Sequence, residues 1–226
     1  MDTPARSRQP LPVGSRARPS VRPTNVDEVV DLLRAWFGDR GWDVFAFQEE
    51  VWRAAAAGAS GLVHAPTGTG KTLAAWLAAV ARLALDSEPP PAGGLRVVWM
   101  TPLRALAADT AAALTEPLRG LGSLTRGWRV DLRTGDSSAA DRRRLRTNWP
   151  TALVTTPESL SILLSLETAS EIFANLDTVV VDEWHELLST KRGVQTELAL
   201  ARLRALRPSL ITWGLSATLA NLDEAL

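Results

Sequence analysis

Eight residues carry the chemistry that is most directly legible in this chain: Ala65-Pro66-Thr67-Gly68-Thr69-Gly70-Lys71-Thr72. Glycines, a lysine and a hydroxyl at that spacing form a phosphate-binding loop when a strand precedes them and a helix follows. Here the apolar run Gly61-Leu62-Val63-His64 comes before, and the strongly apolar segment Leu73 to Leu85 comes after. Gly68 and Gly70 let the backbone fold back so that successive N–H groups point inward toward phosphate oxygens. A helix starting near Lys71 adds the positive end of its dipole to the same place. Lys71 brings a mobile full charge to the outer phosphates of a nucleotide, and the Thr72 hydroxyl is positioned to ligate Mg²⁺. Ala65 stands where the strict pattern has glycine, a common variation.

A second cluster follows the apolar run Val179-Val180-Val181. A strand ending in Asp182-Glu183 sets a carboxylate beside such a loop, where Asp182 can hold Mg²⁺ and Glu183 can orient and polarise an attacking water. The alternative for the acid pair is a cap for the next helix. His185 follows at once and could connect the pair to the hydroxyls of Ser216 or Thr218, although a histidine there is also a common structural hydrogen-bonder. Gln48 opens a helix just ahead of the loop. Its amide can pair with the donor–acceptor edge of adenine or serve as a solvated cap.

These residues must be held by an alternating framework. Thr24-Asn25 can cap a helix along which Val26, Val29, Val30, Leu33, Trp36 and Phe37 recur at three and four, up to Gly38. A second helical run from Phe45-Ala46-Phe47-Gln48 closes at Gly58. Strands are expected at 95–100, 129–133, 152–155, 177–181 and 210–215. Helices are expected from Arg104 to about Leu114, in the arginine-rich stretch after Asp136, over 160–166 and over 194–206. Near-continuous apolar strands alternating with helices predict an α/β domain, its mostly parallel sheet covered by helices on both faces. Ligands bind beyond the carboxyl ends of such strands, and every polar cluster above falls at one.

The bulk composition narrows the classes. The chain has 226 residues, 46% of them hydrophobic, enough for one large core. Its 25 basic and 25 acidic residues cancel, so any nucleic-acid contact must be local rather than a field of the whole protein. Of the basic residues only Lys71 and Lys191 are lysines. With no cysteine, disulfides and thiolate metal sites are excluded. No apolar run approaches the ~20 residues of a membrane span, and no signal-peptide core is evident, so a cytoplasmic protein is expected. Residues 1–24 are polar, basic and proline-rich, and a disordered tail is expected there, either touching phosphates or unselected.

Taken in order, Gln48, Ala65 to Thr72, Thr101-Pro102-Leu103-Arg104, Thr134-Gly135-Asp136, Thr156-Pro157-Glu158-Ser159, Asp182-Glu183-Trp184-His185 and Ser216-Ala217-Thr218 resemble the motifs of superfamily 2 helicases of the DExH-box type. Trp36-Phe37, Gly41-Trp42, Lys191-Arg192-Gly193-Val194-Gln195 and Asn221-Leu222 narrow the resemblance to the large-helicase-related group, most of all its ligase-associated bacterial branch. The resemblance implies a RecA-like P-loop NTPase domain over 25–226, with 25–58 as leading helices. It implies ATP and Mg²⁺ as ligands, with Gln48 reading adenine and Lys71, Asp182, Glu183 and His185 serving hydrolysis. It carries single-stranded nucleic acid, DNA favoured, to Thr101, Pro102, Arg104, Thr156, Pro157 and Ser159, and coupling to Ser216 and Thr218.

Members of the family have a second RecA-like domain that supplies an arginine finger, and it is absent from these residues. Loss of such a finger costs ~10³–10⁵ in rate, roughly 4–7 kcal/mol. The expectation is a truncated first motor lobe of a DNA-repair helicase, unable to unwind alone, needing the second lobe in cis or in trans. A ligase or nuclease is the repair partner that the resemblance implies. The alternative is a free-standing nucleotide- or nucleic-acid-binding module without turnover. A small-molecule kinase is disfavoured, because it gives Asp182-Glu183-Trp184-His185 no role.

Overall fold

In the computed structural model, which describes residues 22–86, 94–187 and 190–217, the expected alternation becomes one layered domain. Helix α1 (Val26–Gly38) is capped by Asn25, whose side chain accepts the Glu28 N–H at 3.0 Å. Helix α2 (Ala46–Ala56) leads into strand β1 (Gly61–His64), and the loop after it opens α3 (Lys71–Ala84). Then follow β2 (Val97–Met100), α4 (Arg104–Gly120), β3 (Val130–Arg133) and α5 (Ala139–Thr147). The second half holds β4 (Ala152–Thr155), α6 (Pro157–Leu164), α7 (Ala169–Ile172), β5 (Thr178–Val181), α8 (Trp184–Leu187), α9 (Lys191–Leu206) and β6 (Ile211–Ser216).

The sheet runs β1-β6-β5-β2-β4-β3, and every neighbouring pair is parallel. Because side chains alternate across a strand, the central strands β2, β4 and β5 each feed two cores. Val97, Trp99, Val154 and Val180 pack with α1, α2 and α3 on one face. Val98, Met100, Leu153, Val179 and Val181 pack with α6 and α9 on the other. Alanines at 74, 75, 78, 79 and 81 are all buried, so α3 can lie close to the strands on one side and to α2 on the other. Register aligns the carboxyl ends: Met100 pairs with both Thr155 and Val181, Arg133 with Thr155, and His64 with Ser216.

Several element boundaries differ from the expectations, each for a local reason. Thr156 caps α6 by accepting the Ser159 N–H, with Pro157 at the first helical position, so this helix starts three residues before the predicted Leu160. Thr190 does the same for α9, which begins at Lys191 instead of Val194. Helix α4 runs past Leu114 to Gly120, carrying Pro117 in its last turn. The tail up to residue 21, Thr218 and Asn221-Leu222 lie outside the described residues. No helix among the described residues is long and apolar enough to cross a membrane.

The core assignment has a direct test. Leu77 is fully buried in α3, whereas Leu198 on α9 is 67% exposed. Leu77→Ala is expected to destabilise the domain by about 2–5 kcal/mol and Leu198→Ala by no more than about 0.5 kcal/mol, as read by urea unfolding. Equal effects would contradict this packing.

Candidate nucleotide-binding site

The loop between β1 and α3 depends on two left-handed glycines, Gly68 at φ 80° and Gly70 at φ 82°. At Gly70 a side chain is excluded twice. Its φ is one that L-residues rarely adopt, and a Cβ there would lie 2.7 Å from the Gln48 amide nitrogen. Inside the loop, Lys71 Nζ donates to the carbonyls of Ala65 at 2.5 Å and Pro66 at 2.9 Å. The Thr69 hydroxyl donates to the Pro66 carbonyl as well. A full cation is thus held only by neutral carbonyls of its own loop, an arrangement that phosphate oxygens can enter and improve.

Opposite the loop stands the end of β5. The Asp182 carboxylate accepts from the Trp99 indole N–H at 3.3 Å and from the Glu183 N–H at 3.0 Å, and it has no ion-pair partner among the described residues. Burial pushes the Asp182 carboxyl above its ordinary value, and the Glu183 charge pushes in the same direction. The Trp99 and Glu183 N–H groups and the Lys71 charge act against them. A partly buried carboxylate without a cation fits Mg²⁺, which takes one or two carboxylates and completes its shell with phosphates and water. No group of three or more His, Cys, Asp or Glu side chains able to hold a metal occurs among the described residues. Thr72 opens the first turn of α3, the position read for the second protein ligand.

Glu183 is the only non-glycine residue at positive φ among those described, at 48°. Such a backbone costs of order 1–3 kcal/mol and persists where the surroundings over-determine it. Its carboxylate comes within 3.4 Å of His185 Nδ1, and Ser216 Oγ lies 3.4 Å from the same nitrogen. The Ser216 hydroxyl also lies 2.7 Å from the Ala217 carbonyl, to which it donates, and the other ring nitrogen of His185, Nε2, lies 3.6 Å from the Glu186 carboxylate. Of the two hydroxyls proposed from sequence, the structure brings Ser216 to His185.

Gln48 is buried, and both ends of its amide are in use. Its oxygen accepts the Phe45 N–H at 3.0 Å, capping α2, and its nitrogen donates to the Gly70 carbonyl at 3.3 Å. One N–H and one lone pair remain free. Its sequence reading as a solvated cap is corrected in part: it caps, but inside the protein and against the loop.

The residues read as nucleic-acid contacts fall in one row at the carboxyl ends of β2 and β4. Thr101 is fully buried, and its hydroxyl has no partner among the described residues. Pro102 is buried beside it, while Arg104 is exposed at the start of α4 and pairs with Asp136 at 3.1 Å. Thr156, Pro157 and Ser159 form the first turn of α6 and are buried. Sequence reasoning missed Trp99. The available signal was an indole in an otherwise apolar strand, because an indole brings an N–H donor that can meet a nearby acceptor.

The profile of the DEAD/DEAH box helicase family matches residues 45–225. The chain belongs to that family. Within it, the chain is an N-terminal RecA-like lobe of the Lhr-related group. It is 39% identical over 201 residues to the Lhr helicase/probable uracil glycosylase of Mycolicibacterium smegmatis, covering 85% of this chain and 13% of that protein. It is 36% identical over 204 residues to ATP-dependent helicase Lhr-Core protein 2 of Thermococcus barophilus, covering 87% and 24% respectively. The solved structure of Mycobacterium smegmatis helicase Lhr bound to ssDNA and AMP-PNP superposes with a TM-score of 0.74 at 38% identity, over 86% of this chain and 25% of that one. The chain therefore spans a quarter or less of the length of these relatives.

The Asp182 environment makes a pH prediction for this helicase lobe. A carboxyl whose folded-state pKa lies above its unfolded value penalises the folded state, in full once pH is above both values. That penalty is released as pH falls through the folded value toward the unfolded one. In metal-free buffer, Asp182→Asn is expected to raise Tm at neutral pH, with the gain shrinking on acidification. Thermal melts of both proteins across pH check this, and a gain that grows toward acid would contradict the assignment.

Proposed function

We propose that this domain is the ATP- and nucleic-acid-binding first motor lobe of an ATP-dependent DNA helicase working in repair. The observation that carries the reading is the Lys71 loop facing the uncompensated Asp182, with Glu183 and His185 leading from that carboxylate to Ser216. Lys71 would exchange two carbonyls for phosphate oxygens, and Asp182 with Thr72 would hold Mg²⁺. The charge neutralisation that Mg²⁺ supplies to a nucleotide's phosphates would then come from an ion held by these two side chains. Glu183, its carboxylate aimed by a strained backbone, would orient the attacking water. The remaining N–H and lone pair of Gln48 are what an adenine edge requires, and the bond to Gly70 would make the loop sense whether that edge is present.

His185 would relay the state of Glu183 to β6 through Ser216, a reading supported by its 3.4 Å contacts with both. Thr101, Pro102, Arg104, Thr156, Pro157 and Ser159 are taken as the track for a single strand, DNA favoured. Hydroxyls and the amino ends of α4 and α6 suit phosphate contacts, which position a strand without reading its sequence. Residues 25–226 form the lobe in this reading, with 25–58 as its leading helices. A second RecA-like lobe, in cis or in trans, would supply the arginine finger and the other half of the track. A ligase or nuclease partner is the finer expectation that the resemblance adds.

The 226-residue chain is expected to bind Mg²⁺-ATP with little turnover, and Lys71→Ala is expected to weaken binding at least tenfold by calorimetry with the fold retained. Unchanged affinity in that variant would remove the site assignment. Strand separation by the purified chain, abolished by Lys71→Ala, would overturn the need for a second lobe.

A further inference from the structure

On the face of the sheet away from α3, beside its β3 edge, a cleft of about 860 Å³ opens between α5 and the α6–α7 segment. That volume falls in the range of ~300–1,000 Å³ typical of ligand sites. Arg133, the last residue of β3, lies in it, joined by Arg142 and Arg146 from α5, and Trp149, Ile162 and Leu166 supply the apolar wall. Helix α5 buries only Leu145, so packing does not close the cleft.

The arginines of this region divide into two sets. Arg129 and Arg144 both pair with the one carboxylate of Asp131, at 3.1 and 3.2 Å. The guanidinium groups of Arg133, Arg142 and Arg146 have no carboxylate within 4.0 Å and no hydrogen-bond partner among the described residues. Glu167 and Glu171 line the same cleft without reaching them. Exposed arginines such as Arg142 and Arg146 need no partner, but Arg133 is partly buried. Burial, and then the charges of Arg142 and Arg146, depress its guanidinium pKa, so three like charges converge where an anion would relieve them.

The position indicates which anion. Arg133 directly precedes Thr134-Gly135-Asp136, its carbonyl accepts the Thr155 hydroxyl at 2.7 Å, and Thr155 is followed by the Thr156–Ser159 turn. Through Arg133 the cleft meets the end of the row of strand-end residues, and from there it runs toward Trp149, which precedes β4. Guanidinium forks match phosphate, and a cationic groove with an aromatic side chain is the pattern that holds successive nucleotides of a single strand.

We propose that the cleft walled by Arg133, Arg142, Arg146 and Trp149 is an additional anchoring subsite for the phosphodiester backbone of a single nucleic-acid strand, extending the strand-end track past the β3 edge. The proposal rests on reading those strand ends as nucleic-acid contacts. Trp149 and the neighbouring apolar wall take a base face, while the arginines take the flanking phosphates.

The test titrates the 226-residue chain with a fluorescein-labelled oligothymidylate long enough to pass the β3 edge, over a series of salt concentrations. Melting curves verify that each variant is folded. Arg142→Gln/Arg146→Gln is expected to weaken binding several-fold and to lower the slope of log K against log salt by about 0.7 per arginine removed. Arg142→Lys/Arg146→Lys is expected to keep most of the slope. Wild-type affinity and slope in the glutamine variant, alongside weakened binding by Arg104→Gln, would overturn the subsite while leaving the track intact. No binding by the wild-type chain would instead remove the nucleic-acid reading on which the subsite rests. A cleft that holds polyglutamate in an Arg142- and Arg146-dependent way, with oligothymidylate unaffected by the same variants, would overturn the proposal in favour of an acidic protein segment.

Discussion

A parallel sheet buried on both faces has only one place for polar chemistry, and that constraint organises this domain. Strands β2, β4 and β5 are four residues long and buried throughout. Charged groups are therefore pushed to the strand ends. Parallel pairing then collects those ends on one edge, because Met100, Thr155 and Val181 share a register level. Lys71, Asp182 and the Thr101 and Thr156 turns reach the same edge without any contact having been required between their sequence segments.

Holding a carboxylate at that edge works against stability. Asp182 is desolvated and lies next to another acid, and a tryptophan N–H, a backbone N–H and the charge of Lys71 compensate in part. Glu183 adds a left-handed backbone. Both costs fall at one turn, where a divalent cation and phosphates can offset the electrostatic part. The alanine-lined packing of α3 and the two cores are what allow the fold to carry such a turn.

Strand order accounts for how the parts of the site meet. β6, last in sequence, lies between β1 and β5. Ser216 is thereby placed between the phosphate loop and the acid pair, its carbonyl accepting the Ala65 N–H at 3.3 Å and its hydroxyl facing His185. A change at the loop or at Glu183 therefore meets the same residue. Gln48 does similar work on the other side, tying the start of α2 to Gly70.

By itself the sequence determined the class of fold, the identity of the loop and its acid pair, and most element positions. Those properties are written in local patterns: apolar strands, glycine spacing, helix periodicity. It placed helix starts less well, because the caps at Thr156 and Thr190 look like loop until their side chains turn back onto the backbone. It said nothing of strand order, of the Trp99 bond to Asp182, of the left-handed turn at Glu183, or of the convergence of Arg133 with Arg142 and Arg146. Each of these joins groups that local pattern does not relate, or depends on a backbone angle that residue type does not specify. Only the packing of β6 between β1 and β5, and of α5 against the sheet edge, brought them together.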